Sequence, residues 1–359
     1  MKVRFCSPVR SHIGYGELGR IVVHQLIQAG VDVSVAPIRM GDSNVDFGEL
    51  GAQAQARTAQ VDRVDVNIVS MVPSMFARFR DPAAKNIGYT MFETDRLPQD
   101  WVAACNSMDA IWVPSEWGRA AFAASGVTVP IHVVGVHADA REPAIAPAAG
   151  PFRLLSMFDW QPRKNPVGLL RAYCAAFHRR KDTVLVLKAS HRAGTNPEAE
   201  QQLRGAIASI CGNIGAAADL PRIELVTNLL SSEDIQGLHS GAHAYLSLSH
   251  GEGWGLPAWD SALLGRPVLH TGWSAPTEFL TEASCIAYRM APVYGMFPIM
   301  PFHDGGMRWA DPDLDDAIDK LRDLEANYPR HAEAAQRHRQ DLRERYSLPR
   351  RLEQLRAAL

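Results

Sequence analysis

Twelve short strand-like runs, set in two series of six with helical stretches between them, constrain the fold of this chain more than any other feature. The first series is Val3–Cys6, Val31–Ala36, Val66–Val72, Asn86–Tyr89, Ala110–Val113 and Ile131–Val134, interleaved with helical stretches such as Leu18–Ala29 and Trp117–Ala124. The second is Phe152–Phe158, Thr183–Lys188, Ile223–Thr227, Ala244–Leu248, Pro267–His270 and Cys285–Tyr288. Strands that alternate with helices build parallel sheets, because a parallel pair needs a crossover long enough to hold a helix. The expected fold class is therefore α/β, with two Rossmann-like, doubly wound domains. Between the two series, Arg141 to Pro151 is rich in alanine and proline, a composition that makes a semi-stiff connection. The expected division is an N-terminal domain over 1–145, a C-terminal domain over 151–328, and terminal helices over 329–359. Ligands of doubly wound sheets bind beyond the strand C-terminal ends, so a central cleft between two such sheets is the expected site.

At 359 residues the chain is long enough for two cores, and a hydrophobic fraction of 47% suits a globular protein. Lys and Arg total 37 against 39 Asp and Glu, for a net charge of −2 that offers a polyanion no general attraction. Nucleic acid is accordingly not favoured as a partner. Cys6, Cys105, Cys174, Cys211 and Cys285 are odd in number and widely spaced, without a Cys-x-x-Cys pair, which points to a reducing compartment. The N-terminus enters a strand pattern directly and no apolar run approaches a membrane span, so a cytoplasmic protein is expected. From Arg330 to Leu359, eight arginines face four acids. A solvated helical face is the ordinary meaning of such a surplus, and peripheral contact with a membrane surface or an anionic acceptor is the other.

The chemistry concentrates in the glycine loop His250-Gly251-Glu252-Gly253-Trp254-Gly255-Leu256-Pro257-Ala258-Trp259-Asp260. Pro257 fits the start of a helix, Gly265 fits its C-terminal cap, and Pro267-Val268-Leu269 reads as the next strand. Free N–H groups at a helix start favour an anion such as phosphate, which brings Gly253, Trp254, Gly255 and Leu256 into the candidate site. Glu252 stands in the loop and Asp260 about one turn inside the helix, so both can face one ligand. Carboxylates placed so accept hydrogen bonds from sugar or ribose hydroxyls.

Gly14-Tyr15-Gly16-Glu17-Leu18-Gly19 spells a dinucleotide fingerprint. The strand before it ends near Ser7, leaving Pro8 to Ile13 as a loop, and the second strand runs into Pro37-Ile38-Arg39 without the ribose-binding acid of that motif. Arg39 keeps an NADP site open. In the second half, Met157-Phe158-Asp159-Trp160-Gln161-Pro162-Arg163-Lys164-Asn165-Pro166 follows the first strand. Its adjacent cations, Arg163 and Lys164, suit a diphosphate leaving group, and cations at a helix start oppose the helix dipole and so need a reason to be there. Lys188 ends the next strand, either at the site or as a surface lysine with its stem laid on apolar ground.

Glu252 through Asp260 resembles the Glu, seven residues, Glu signature of the retaining family 4 glycosyltransferases of GT-B fold, with Asp260 in place of the second Glu. Stretches from Asn86 to Pro98 and from Asp109 to Trp117 also resemble their N-terminal domains. The resemblance implies that Glu252 contacts the donor sugar, that Asp260 holds the nucleotide ribose, and that Lys164 stabilises the leaving diphosphate. The family's other cation falls at Asp159 here, so its role passes to Arg163. The same resemblance implies that Gly14, Tyr15 and Gly16 approach the diphosphate from the N-terminal domain and that the last helix crosses back onto that domain. Glu93 is the candidate for handling the acceptor hydroxyl, as hydrogen-bond acceptor or base, although many family members carry histidine near this position and a loop-capping role fits equally.

The implied activity is transfer of a sugar from a UDP-, GDP- or ADP-sugar to an acceptor hydroxyl, with no cofactor and no metal. His239 and His243 share the spacing of a helical metal pair, but Gly241 lies between them and no third ligand is near. Asp311-Pro312-Asp313-Leu314-Asp315-Asp316 reads as a helix cap. A sugar-nucleotide epimerase of the same fold, an NADP-dependent oxidoreductase and a non-catalytic sugar-binding protein are the alternatives. Ala291 to Trp309, rich in Met, Pro and aromatic residues, reads either as lining for the acceptor or as irregular core.

Overall fold

The computed structural model describes residues 1–40, 44–61, 63–138, 150–190, 196–298 and 300–359. The chain forms two compact units, one of Met1–Asp139 with Leu230–Glu233 and Arg343–Leu359, the other of Ala140–Leu229 with Asp234–Leu342. The alanine- and proline-rich connection at 141–149, with the expected boundary at 145, lies outside the described residues.

In the first unit, strands β1 (Lys2–Ser7), β2 (Asp32–Pro37), β3 (Val66–Ser70), β4 (Lys85–Tyr89), β5 (Ala110–Val113) and β6 (Ile131–Val133) form one sheet in the order β2-β1-β3-β4-β5-β6. Every pairing is parallel. Both faces of a parallel sheet are covered by crossover helices, which is why β3 and β5 are buried at every position and β5 reads as an unbroken apolar run. The helix Gly14–Gln28 follows β1 after the loop 8–13. The strand order reverses between β1 and β3, which puts that loop at the switch point of the sheet. The terminal helix Leu348–Ala358 belongs to this unit and packs on Gly14–Gln28. Lys85 there donates from Nζ to the carbonyl of Leu359 at 2.8 Å.

In the second unit, β7 (Phe152–Asp159), β8 (Thr183–Ser190), β9 (Arg222–Val226), β10 (Ala244–Ser247), β11 (Val268–Thr271) and β12 (Cys285–Ile286) form a parallel sheet in the order β12-β11-β10-β7-β8-β9. Its order reverses between β7 and β10. Leu154, Leu185, Leu187, Leu246 and Leu269 from the strands pack with Leu169 and Tyr173 of the helix Pro166–Ala176 and Leu321 of the helix Leu314–Ala326. The run Cys285–Tyr288, one continuous strand by its sequence pattern, is broken after Ile286. There the N–H of Ala287 goes to the Asp316 carboxylate at 2.7 Å and its carbonyl accepts from the N–H of Asp313 at 2.7 Å. Tyr288–Pro292 (β13) then pairs antiparallel with Arg308–Pro312 (β14), a ribbon that the pattern of alternating strands and helices does not anticipate. Among the described residues, no helix is long and apolar enough to cross a membrane.

Candidate functional site

The loops that leave β7 and β10 flank the switch point of the second sheet, and this adjacency brings together side chains 88 residues apart in the chain. After β7, Pro162–Lys164 makes one turn of 3-10 helix that ends on Asn165 in the left-handed region, at φ 52°. Asn165 tolerates that conformation and its Oδ1 accepts from the N–H of Gly168 at 2.9 Å, so the same residue stops the turn and caps the helix Pro166–Ala176. This geometry aims Arg163 and Lys164 at the loop after β10. The backbones of the two loops are tied as well, the N–H of His250 donating to the carbonyl of Arg163 at 2.8 Å.

Lys164 Nζ lies 2.5 Å from Glu252 Oε1, and Arg163 Nη1 lies 3.3 Å from Oε2 while donating to the carbonyl of Gly251 at 2.6 Å. Glu252 is 8% exposed. Burial alone would push its carboxyl up, but the charges of Lys164 and Arg163 and the hydrogen bond from Lys164 outweigh it and hold the group at about 2. Burial holds the neighbouring His270 imidazole below its ordinary range, although the Glu252 charge pulls the other way. The N–H of Glu252 donates to Ser274 Oγ at 2.9 Å, and Ser274 sits at φ 67°.

The helix Leu256–Leu263 starts from Gly255 at φ 83°, with no side chain capping it and Pro257 in its first turn. Gly265, at φ 71°, follows its end in the place expected for a C-terminal cap. Asp260 is half-buried one turn into this helix. The phenol of Tyr245, pushed up first by burial, is pushed further by the charges of both Glu252 and Asp260, so the two carboxylates share a neighbourhood. Trp254 is 3% exposed and packs on Trp259 and Phe279, with ring centroids 5.4 and 5.2 Å away. Its ring serves the core, which leaves only its main chain to a ligand.

Lys188, in register with Met157, is buried near the end of β8. Burial lowers its pKa, opposed by the charge of Asp159. Asp159 itself, the position where the resemblance leads to a cation, accepts a hydrogen bond from the Ser190 hydroxyl.

In the first unit, Gly14 opens its helix with free space around it, whereas a Cβ on Gly16 would stand 2.2 Å from the carbonyl oxygen of Ser11. A Cβ on Gly19 would stand 2.2 Å from Ser7 Oγ. Close packing of the helix on the loop 8–13 and on the end of β1 thus explains two of the three glycines. Tyr15 Oη lies 2.9 Å from Thr90 Oγ1, and the half-buried phenol, pushed up first by desolvation, also feels the charge of Glu93. Glu93 is half-buried beyond the end of β4. Arg20, buried, donates to the carbonyls of Val9 and Ser11 at 2.7 and 3.0 Å and braces the loop before the helix.

Sequence reasoning missed Ser274, His270, Tyr245 and Arg20. A histidine inside the apolar strand run Val268-Leu269-His270-Thr271 was the one signal available for His270. Among the described residues, no three His, Cys, Asp or Glu side chains cluster in a way that could hold a metal ion. His239 is occupied by Ser261 Oγ at 2.7 Å, and His243 accepts from the N–H of Arg153 at 3.0 Å. Asp313 accepts from the N–H groups of Asp315 and Asp316 and caps the helix Leu314–Ala326.

The sequence matches no family model and no curated protein. Its fold is similar to that of sucrose-phosphate synthase from Thermosynechococcus elongatus, with a TM-score of 0.69 and 12% identity over 100% of this chain and 98% of that one. It is likewise similar to a UDP-forming α,α-trehalose-phosphate synthase from Burkholderia xenovorans, with a TM-score of 0.63 and 13% identity over 99% and 98% of the two chains. TarM from S. aureus, solved as a mutant with fondaparinux, α-GlcNAc-glycerol and UDP, gives a TM-score of 0.59 and 14% identity over 81% of this chain. The chain spans 54% of TarM's length. At such identities the likeness is one of fold, and with two parallel six-stranded sheets the chain has the GT-B fold.

Proposed function

We propose that the protein is a retaining glycosyltransferase that moves a sugar from a nucleoside-diphosphate sugar to an acceptor hydroxyl, without a metal ion. The observation that carries this reading is the trio of buried Arg163 and Glu252 with half-buried Lys164 at the switch point of the second sheet, beside an uncapped helix start. UDP is the nucleotide to test first, because TarM was solved with UDP and the trehalose-phosphate synthase is UDP-forming.

In this reaction the bond from the sugar anomeric carbon to the diphosphate oxygen breaks while a bond to the acceptor oxygen forms on the face just vacated. The electron pair of the broken bond stays with the diphosphate. Lys164 and Arg163, with the N–H groups of Gly253 to Leu256, stabilise the charge that grows there. Glu252 accepts hydrogen bonds from the donor sugar and offsets positive charge on its ring, and Asp260 holds the ribose. By the resemblance, Gly14 and Tyr15 bring further amides to the diphosphate, whereas the N–H of Gly16 is held by the carbonyl of Ile13 at 2.8 Å. Glu93 receives or orients the acceptor proton.

Incubation with UDP-, GDP- and ADP-sugars, with and without candidate acceptors, tests the assignment through release of nucleotide. Acceptor-dependent release that drops about a hundredfold or more in Lys164→Ala is the expected result. Conversion of the sugar nucleotide without an acceptor would make the protein an epimerase, and undiminished turnover by Lys164→Ala would refute the leaving-group role of that lysine and the assignment built on it.

A further inference from the structure

A hollow opens in the C-terminal unit beside the trio, between the loop 160–168 and the β13–β14 ribbon. Its volume is about 1060 Å³, at or above the upper end of ligand pockets, which run from roughly 300 to 1,000 Å³. Arg163, Lys164 and Glu252 are not among its lining residues. Three aromatic rings line it: Trp160, Tyr288 and Tyr294.

Trp160 also packs against the core, but the two tyrosines are not displaced core. In the segment after β13, Val293, Met296, Met307 and Trp309 are buried, yet Tyr294 between them is 52% exposed and Tyr288 is 42% exposed. The polar lining is balanced, with Arg171 and Arg289 against Asp311 and Asp313. Arg289 already pairs with Asp311 at 3.1 Å, so the lining has no bias toward an ion of either sign. Gln161 adds a demand of its own. It is 8% exposed, lines the hollow, and its Oε1 is buried with no hydrogen-bond partner among the described residues. An orphan acceptor of that kind costs about 1–3 kcal/mol until a donor reaches it.

We propose that this hollow is a binding site for a neutral saccharide of more than one sugar unit. Aromatic faces accept the C–H faces of sugar rings, and the carboxylates and the Gln161 amide serve the hydroxyls, one of which supplies the donor that Oε1 lacks. A charged ligand of either sign would find no excess of opposite charge in this lining, and an aliphatic ligand would leave the Gln161 oxygen without a donor. The site is also wired to the trio. Tyr294 Oη lies 3.1 Å from His250 Nε2, and His250 stacks on Trp309 at 4.4 Å, two residues before Glu252. Saccharide packed on Tyr294 would therefore fix the loop that carries Glu252. That the saccharide belongs to the acceptor rests on the glycosyl-transfer reading, so binding is measured without any donor present.

Maltohexaose, cellohexaose and chitohexaose are each titrated into the full chain and followed by calorimetry and ligand-observed NMR. At least one is expected to bind, with Tyr288→Ala and Tyr294→Ala each weakening it three- to tenfold, in line with the worth of an aromatic contact. Gln161→Leu should weaken it similarly while the thermal midpoint stays level or rises, because the orphan acceptor is gone. UDP affinity should be unchanged in Tyr288→Ala. Failure of all three saccharides to bind, or binding that survives these substitutions, overturns the proposal, and either outcome leaves the nucleotide-release assay unaffected.

Discussion

Replacing Glu252 by Gln should reverse the ligand preference of the site. A carboxyl held at about 2 instead of its ordinary 4.5 is favoured in its ionised form by roughly 3 kcal/mol. Gln keeps the shape and removes the charge, so Lys164 and Arg163 lose their shared buried anion, at a cost of about 3–5 kcal/mol to the ligand-free fold. A diphosphate restores an anion to both cations. In the native protein it must instead draw them away from Glu252, leaving that carboxylate buried with less to satisfy it. Recovery of even half of the lost pairing energy tightens UDP by about tenfold, since 1.4 kcal/mol is a factor of ten. A UDP-sugar behaves oppositely, because its sugar hydroxyls bring donors to the native carboxylate, and hydrogen bonds to a charged acceptor are worth about 1.5–3 kcal/mol. Glu252→Gln should therefore bind UDP more tightly and UDP-glucose no better than the native protein, with transfer reduced about a hundredfold or more. Calorimetric titration of both ligands into both proteins, with thermal shifts as a check, measures the reversal. UDP binding that weakens or stays level in the variant would refute the idea that diphosphate and Glu252 compete for the same two cations.

Acid should expose the same pairing. Because the folded pKa of Glu252 is depressed to about 2, its contribution is complete above the unfolded value near 4.5 and is lost as pH falls through 2. Urea unfolding of the native protein between pH 6 and pH 2.5 should lose stability that Glu252→Gln, already lacking it, does not lose, and parallel curves would count against the pairing. Ser274→Ala removes the acceptor of the Glu252 N–H and should cost about 1–3 kcal/mol with a fall in turnover that Ser274→Thr largely restores. Gly16→Ala, whose Cβ would meet Ser11 O at 2.2 Å, should lower stability by more than 2 kcal/mol, roughly the level of overpacked cores. Gly14→Ala has open space and should stay within about 0.5 kcal/mol of native, so a large loss there would mean that the helix start has less room than its geometry indicates.

The fold was legible because parallel strands buried between helices leave short, largely apolar runs, and eleven of the twelve runs became the strands they resembled. The exception, Cys285–Tyr288, was broken by Asp313 and Asp316, which take the main chain of Ala287 from sites about 26–29 residues later in the chain. No window of local sequence contains that competition. Lys164 and Glu252 were legible for a different reason. Each sits just past a strand end, and the sheet order makes those two strands neighbours. Ser274 and Tyr245 carry no such mark, since their value lies in where the chain passes and not in their residue type. Gly16 and Gly19 were readable as special, yet the glycine pattern alone could not separate a ligand approaching from above from a loop and a strand end packed below.

Asp159 offers the sharpest contrast with the resemblance, because a carboxylate stands where a cation is expected. Its position gives it a different task. Lys188 is buried beside it, and desolvation lowers the Lys188 pKa while the Asp159 charge raises it. Asp159→Asn removes the raising influence, so the folded pKa of Lys188 should fall further below its unfolded value. A lysine depressed in the fold opposes folding below its folded pKa, and that penalty disappears as pH rises through the folded toward the unfolded pKa. The variant should therefore be less stable than the native protein at pH 7 and should approach it at pH 10. Denaturant unfolding at both pH values reads the difference, and faster labelling of Lys188 by an amine reagent at pH 7, located by mass spectrometry, reads the pKa. An equal gap at pH 7 and pH 10 would show that Asp159 acts only through its hydrogen bond to Ser190, and Lys188 would then need some other source for its charge balance.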